Sequence, residues 1–139
     1  LELFMTIKIL VVDDSAPMRA VIIKTVKAAG YGNAVFLEAG DGQKALDILA
    51  SENVDLVMTD YNMPILNGLE LVDRIRHNEK LKKIPVIAIT TDGNPKRIIE
   101  FVEKLKIFLF STILCLKFKI FARSESVSIS KKSLPMNLV

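Results

Sequence analysis

The 139-residue sequence has one cysteine, one histidine and no tryptophan. A lone Cys115 cannot close an internal disulfide, so the cytoplasm, a reducing compartment, is the expected setting. One histidine and one cysteine also leave no His/Cys set for zinc. Six glycines and five prolines are too few for a collagen-like or low-complexity chain. A 50% apolar composition excludes disorder of the chain as a whole. Long apolar runs are missing as well. Ile107–Leu116 is ten residues long and is bounded by Lys106, Lys117 and Lys119, whereas a bilayer span needs about 20. No membrane partner is therefore expected. Residues 1–12 lack a basic leader and run into Asp13-Asp14, so no secretory signal is expected.

The length suits one domain. Its net charge of +3 invites a nucleic-acid reading until its position is considered. Residues 1–104 carry 13 Lys/Arg against 15 Asp/Glu. Residues 105–139 carry six Lys/Arg against the single acid Glu125, hold four of the seven phenylalanines, and contain no glycine or aspartate. The basicity belongs to the tail, is scattered through apolar residues, and implies no nucleic-acid partner. The division expected is a core at 5–104 and a divergent C-terminal segment at 105–139.

Ile7–Val12 is a short apolar run broken only by Lys8, as in a strand covered on both faces. Ser15 and Pro17 suit a helix start. Met18, Val21, Ile22, Thr25, Val26 and Ala29 then recur at helical spacing up to Gly30. Further strands are predicted at Ala34–Ala39, Leu56–Thr59 and Val86–Thr90. Three more helices are predicted. The one after Asp41-Gly42 turns Ala45, Ile48 and Leu49 inward; the one after the Pro/Asn/Gly loop turns Leu69, Val72 and Ile75 inward. The one from Asn94-Pro95 turns Ile98, Val102 and Leu105 inward. Four strands alternating with four helices predict an α/β fold, a doubly wound parallel sheet. Such sheets bind ligands beyond the carboxyl ends of their strands.

Those ends hold Asp13-Asp14, Asp60 and Thr90-Thr91. Singly each has an ordinary reading. An acid pair can favour the next helix N-terminus, and a threonine suits a strand. Lys80, Lys82, Lys83 and His77 read as solvated residues. Three acids converging on one edge repel one another, and a hard divalent cation such as Mg²⁺ resolves that, since it takes oxygen ligands and keeps several waters. A carboxylate there can act as a nucleophile toward phosphorus.

Ile9–Ser15 (ILVVDDS), Met58–Gly68 (MTDYNMPILNG) and Pro85–Thr91 (PVIAITT) resemble the receiver domain of two-component response regulators, most closely the single-domain, CheY-like chemotaxis type. The resemblance implies a flavodoxin-like/CheY-like sheet of strand order 2-1-3-4-5. It implies Asp60 as phospho-acceptor and Thr90 as the hydroxyl that bonds the phosphoryl group. It implies Mg²⁺ held by Asp13, Asp14, Asp60 and the backbone carbonyl of Asn62. It implies a histidine kinase or small acyl phosphate as phosphodonor and an output protein as partner. Catalysis would be confined to the chain's own phosphorylation and dephosphorylation.

The likeness runs from about Lys8 to about Lys104 and then stops. The Lys-Pro expected about 22 residues beyond the switch hydroxyl is absent; that position is Thr112. A fifth strand is expected within Ile107–Leu116, and no amphipathic fifth helix can be traced. Two origins remain for residues 105–139: a variant that remodels the output surface, or a change of reading frame near residue 104, which the loss of Gly, Asp and helical periodicity favours. An alternative function follows, a receiver-like interaction module forming a homodimer through this segment. A hydrolase of the haloacid dehalogenase kind would want a second acid where Asn62 stands. A flavin site would want a phosphate-binding loop in place of Asp13-Asp14.

Overall fold

The computed structural model describes residues 6–89 and 94–100. Strands β1 (Lys8–Val12), β2 (Val35–Ala39), β3 (Leu56–Thr59) and β4 (Val86–Ala88) form one sheet in the order β2-β1-β3-β4. All three pairings are parallel, with Val12 opposite both Ala39 and Thr59, and Thr59 opposite Ala88. The expected doubly wound order 2-1-3-4 is thus observed. The fifth strand, the C-terminal segment 105–139 and any homodimer contact through it lie outside the described residues, as does Thr90.

Helices α1 (Ala16–Val26), α2 (Gly42–Ser51) and α3 (Gly68–Arg76) connect the strands. Alternate strand residues point to opposite faces. Leu10, Val12 and Val57 pack with Ala45 and Leu49 of α2 and Leu71 and Ile75 of α3. Ile9 and Val11 pack with Ile22, Ile23 and Val26 of α1 on the other face. Both faces of β1 are therefore dry, which is why its sequence is continuously apolar rather than alternating.

Each helix begins where its sequence offers a cap. Ser15 accepts from the Met18 N–H with Pro17 in the first turn, and Asp41 accepts from the Lys44 N–H. Asn67 and Glu70 form a reciprocal capping box on α3, satisfying two amides that would otherwise lack partners. At the far end of α1 the chain loosens into a π-helical turn, Lys27–Tyr31, where Gly30 takes φ 104, a value open to glycine at little cost. His77 caps the C-terminus of α3 with its ring against the Asp73 carbonyl and is exposed, as its reading as a solvated residue had it.

Two helix faces differ from expectation. On α1 the inward line is Arg19, Ile22, Ile23 and Val26, while Met18 and Val21 are exposed. Arg19 donates to the Asp13 carbonyl at 2.7 Å and to Glu38 at 2.8 Å. Its stem occupies the line that a count of apolar residues assigns to Met18. On α3 Val72 and Ile75 are fully buried as expected, together with Leu71, while Leu69 is only half-buried. Residues 95–100 are helical, with the Ile98 N–H on the Asn94 carbonyl. Ile98 is 39% exposed there rather than buried; Val102 and Leu105 lie outside the described residues.

Candidate functional site

From β1 the chain turns outward to β2, then returns to the other side of β1 as β3. The carboxyl ends of β1 and β3 therefore flank the crevice at which open α/β sheets bind ligands. Asp13-Asp14 follow the last residue of β1 and Asp60 follows the last residue of β3. The register that sets Val12 opposite Thr59 brings the acids together. One ligand oxygen from each of Asp13, Asp14 and Asp60 lies within 4.8 Å of the others.

Backbone bonds fix this arrangement. The Asp13 N–H donates to the Ala39 carbonyl and the Asp60 N–H to the Val12 carbonyl, at 3.1 and 2.9 Å. The buried Asp13 carboxylate accepts from the Ser15 N–H at 2.8 Å, and Asp60 Oδ1 accepts from the Tyr61 N–H at 2.7 Å. The Thr59 hydroxyl, fully buried, donates to the Asp60 carbonyl at 2.9 Å. Asp14 is exposed, and Asp60 is intermediate.

Burial pushes the Asp60 carboxyl above the ordinary aspartate range, and the charges of Asp13 and Asp14 push the same way; the Tyr61 and Asn62 N–H groups oppose them. Three like charges at this spacing need a counter-charge, and a hard divalent cation supplies one. The donor set fits such an ion, being all oxygen and comprising a buried, an intermediate and an exposed carboxylate. Asn62 is exposed on the same rim, two residues beyond Asp60.

Beside the acids opens a cavity of about 560 Å³, lined by Asp14, Tyr61, Asn62, Met63, Pro64, Asn67 and Arg97. The Arg97 guanidinium lies 5.9 Å from the centre of the Tyr61 ring. Tyr61 and Arg97 were not singled out from the sequence. The adjacency of Tyr61 to Asp60 could have drawn attention to it, whereas no local signal places Arg97 near Asp14. The structure brings Asp13, Asp14, Asp60 and Asn62 to one edge; Thr90, the remaining expected member, lies outside the described residues.

Comparison with known proteins agrees with this geometry. Residues 9–108 match the model of the response regulator receiver domain. A chemotaxis protein CheY homolog of Campylobacter jejuni is 43% identical over 93 residues, 66% of this chain and 70% of that protein. Chemotaxis protein CheY1 of Helicobacter pylori is also 43% identical over 93 residues and is covered over 73% of its length. Among solved structures, chemotaxis protein CheY4 of Vibrio cholerae superposes with a TM-score of 0.62 at 28% identity, over 83% of this chain and 98% of that one. The fold, the acid-bearing strand ends and the matched span coincide, and the chain belongs to the response regulator receiver domain family.

Proposed function

We propose that the chain accepts a phosphoryl group on Asp60 in two-component signal transduction of the chemotaxis type, with Mg²⁺ at the acid cluster. The observation that supports this most is the meeting of three carboxylates within 4.8 Å at the switch point of the sheet. Mg²⁺ would be held by Asp13, Asp14, Asp60 and the Asn62 carbonyl, and would neutralise charge on the phosphoryl oxygens.

The chain's own contribution is orientation. The Tyr61 N–H on Oδ1 of Asp60 fixes the plane of the carboxylate. One Asp60 oxygen forms a bond to phosphorus. The bond from phosphorus to the donor atom breaks, and its electron pair leaves with the donor. The product is an acyl phosphate on Asp60. Because burial and then the neighbouring acids oppose ionisation of Asp60, a bound cation would also favour the ionised, reactive form of this carboxylate. Thr90 is the proposed hydroxyl partner of the phosphoryl oxygens.

The phosphodonor would be a histidine kinase, the setting cytoplasmic, and the consumer of the phosphorylated form an output protein. The chain would catalyse only its own phosphorylation and dephosphorylation. Among the described residues no helix is long and apolar enough to cross a membrane. The alternative of an interaction module indifferent to phosphorylation is not favoured, because the acid cluster is intact. The test is incubation with Mg²⁺ and a small phosphodonor, followed by mass spectrometry. A phosphoryl adduct on the parent chain and none on Asp60→Asn is expected; an equal adduct on both would assign the acceptor elsewhere.

A further inference from the structure

Arg19 lies on the inward line of α1, and its side chain is only 17% exposed. A guanidinium held that far from water needs charged and hydrogen-bonding partners. It finds them on two other elements. Glu38 of β2 stands opposite Val11 of β1, and paired residues share a face of the sheet. That is the face covered by α1, where the Glu38 carboxylate accepts from Arg19 Nε at 2.8 Å. Arg19 Nη1 donates to the Asp13 carbonyl at 2.7 Å, just past Val12 and Ala39, the last pair of the β1–β2 ladder.

This last bond closes a ring around the acid pair. The Ser15 N–H donates to Asp13 Oδ1 at 2.8 Å, and the Arg19 N–H donates to the Ser15 carbonyl at 3.0 Å. The Arg19 guanidinium then returns to the Asp13 carbonyl. Asp13, Asp14 and Ser15 form the turn between β1 and α1. The sheet holds that turn through the Asp13 N–H on the Ala39 carbonyl at 3.1 Å. Arg19 adds a second hold, and Glu38 fixes its direction. A planar guanidinium can fork between two acceptors in fixed geometry, as an ammonium cannot. Glu38 also balances the charge of Arg19, so the pair brings no net charge to the acids.

We infer that Arg19, anchored by Glu38, is a positioning residue that holds Asp13 and Asp14 in place for a divalent cation, on the reading of the acid cluster as a Mg²⁺ site. Groups that orient metal ligands from behind govern affinity without touching the ion. Geometry and charge predict opposite signs for the loss of Arg19. Removing a cation near three acids would, by charge alone, tighten Mg²⁺ binding. Releasing the turn that carries two of those acids weakens it.

The experiment is calorimetric titration of Mg²⁺ into the metal-free full chain, with urea unfolding of the same samples. Arg19→Met keeps the apolar stem and removes the donors. Its Mg²⁺ dissociation constant should rise about tenfold, the lower end for groups that orient metal ligands. Arg19→Lys, which keeps the charge without the fork, should fall between. Glu38→Ala should also weaken binding, and Glu38→Gln, which retains an acceptor oxygen, should recover most of the parent affinity. Unchanged or tighter Mg²⁺ binding by Arg19→Met, whether or not its metal-free stability falls, overturns the positioning role. If that variant does not fold, the Glu38 variants decide: equal affinities for Glu38→Ala and Glu38→Gln, as a pure charge effect gives, overturn it as well. A parent chain that binds no Mg²⁺ would instead overturn the reading of the acid cluster.

Discussion

A β carbon placed on Gly68 would lie 2.1 Å from the carbonyl oxygen of Asp60. The first residue of α3 and the central acid of the site thus occupy nearly touching backbone, and the Gly68 N–H on the Tyr61 carbonyl at 2.9 Å tightens the loop between them. No rotamer relieves such an overlap, because both partners are main chain. Gly68→Ala is expected to lower unfolding stability by at least about 2 kcal/mol, at the upper end of what overpacking costs. It should also weaken Mg²⁺ binding by displacing Asp60. Denaturant unfolding and metal titration of the same variant check both effects.

Asp60 costs the fold free energy when no cation is present. Its carboxyl is held above its ordinary range in the folded state, chiefly by burial and then by Asp13 and Asp14. The native state therefore keeps its proton to higher pH than the unfolded state, and stability falls as pH rises between the two pKa values. The penalty grows as pH rises through that interval. Asp60→Asn should stabilise metal-free protein at pH 7 by less than about 1 kcal/mol given solvent screening, and so raise its melting temperature. The gain should vanish below about pH 4, where the unfolded aspartate is also protonated. Thermal melts across pH in a chelating buffer measure it.

Asp14 is the exposed member of the acid cluster, so it is the acid whose removal disturbs packing least. Asp14→Ala should leave metal-free stability within about 0.5 kcal/mol of the parent. Its melting temperature should become nearly insensitive to added Mg²⁺, while the parent's rises with Mg²⁺ concentration by ligand linkage. An equal rise in both proteins would remove Asp14 from the metal site.

The strands and the three acids were legible because each rests on a local pattern, whereas the strand order followed only from the resemblance to receiver domains. β1 and β3 are short apolar runs, and the acids follow their ends directly. Helix faces were less legible. Arg19 points inward on α1 because its guanidinium finds Glu38 and the Asp13 carbonyl across the sheet, a partnership that hydropathy does not encode. Arg97 stayed hidden for a related reason. It lies 37 positions beyond Asp60, and only the packing of residues 95–100 near the Asp60 loop places it over Tyr61.

Asp41 offers a stability switch of the opposite sign. It is 3% exposed and caps α2 by accepting from the Lys44 N–H at 2.8 Å. That backbone bond, with the Lys44 charge, holds its carboxyl below the usual range despite desolvation. Stability from this group is present above the unfolded pKa and is lost as pH falls through the folded one. Asp41→Ala should cost about 1–2 kcal/mol at pH 7, the worth of an N-cap. Asp41→Asn, which keeps the acceptor oxygen, should lose much less, and the gap between parent and alanine variant should narrow in acid.

Ile65 is the least comfortable residue on the rim of the site. It has φ 69 and is 80% exposed. The Leu66 N–H reaches back to the Pro64 carbonyl at 2.8 Å, closing a γ turn of the rare positive-φ kind around a β-branched side chain. The flanks hold it there. Leu66 is buried in the α2–α3 core, its carbonyl accepts from the Gly42 N–H at 3.1 Å, and Asn67 is committed to capping α3. A positive φ of this kind is strained for a β-branched residue, while glycine takes it at no steric cost. Since Ile65 contributes little buried area in return, Ile65→Gly should raise stability by about 1 kcal/mol. Denaturant midpoints measured without Mg²⁺ test this. A lower midpoint for the variant would mean that the isoleucine side chain makes contacts worth more than its backbone strain.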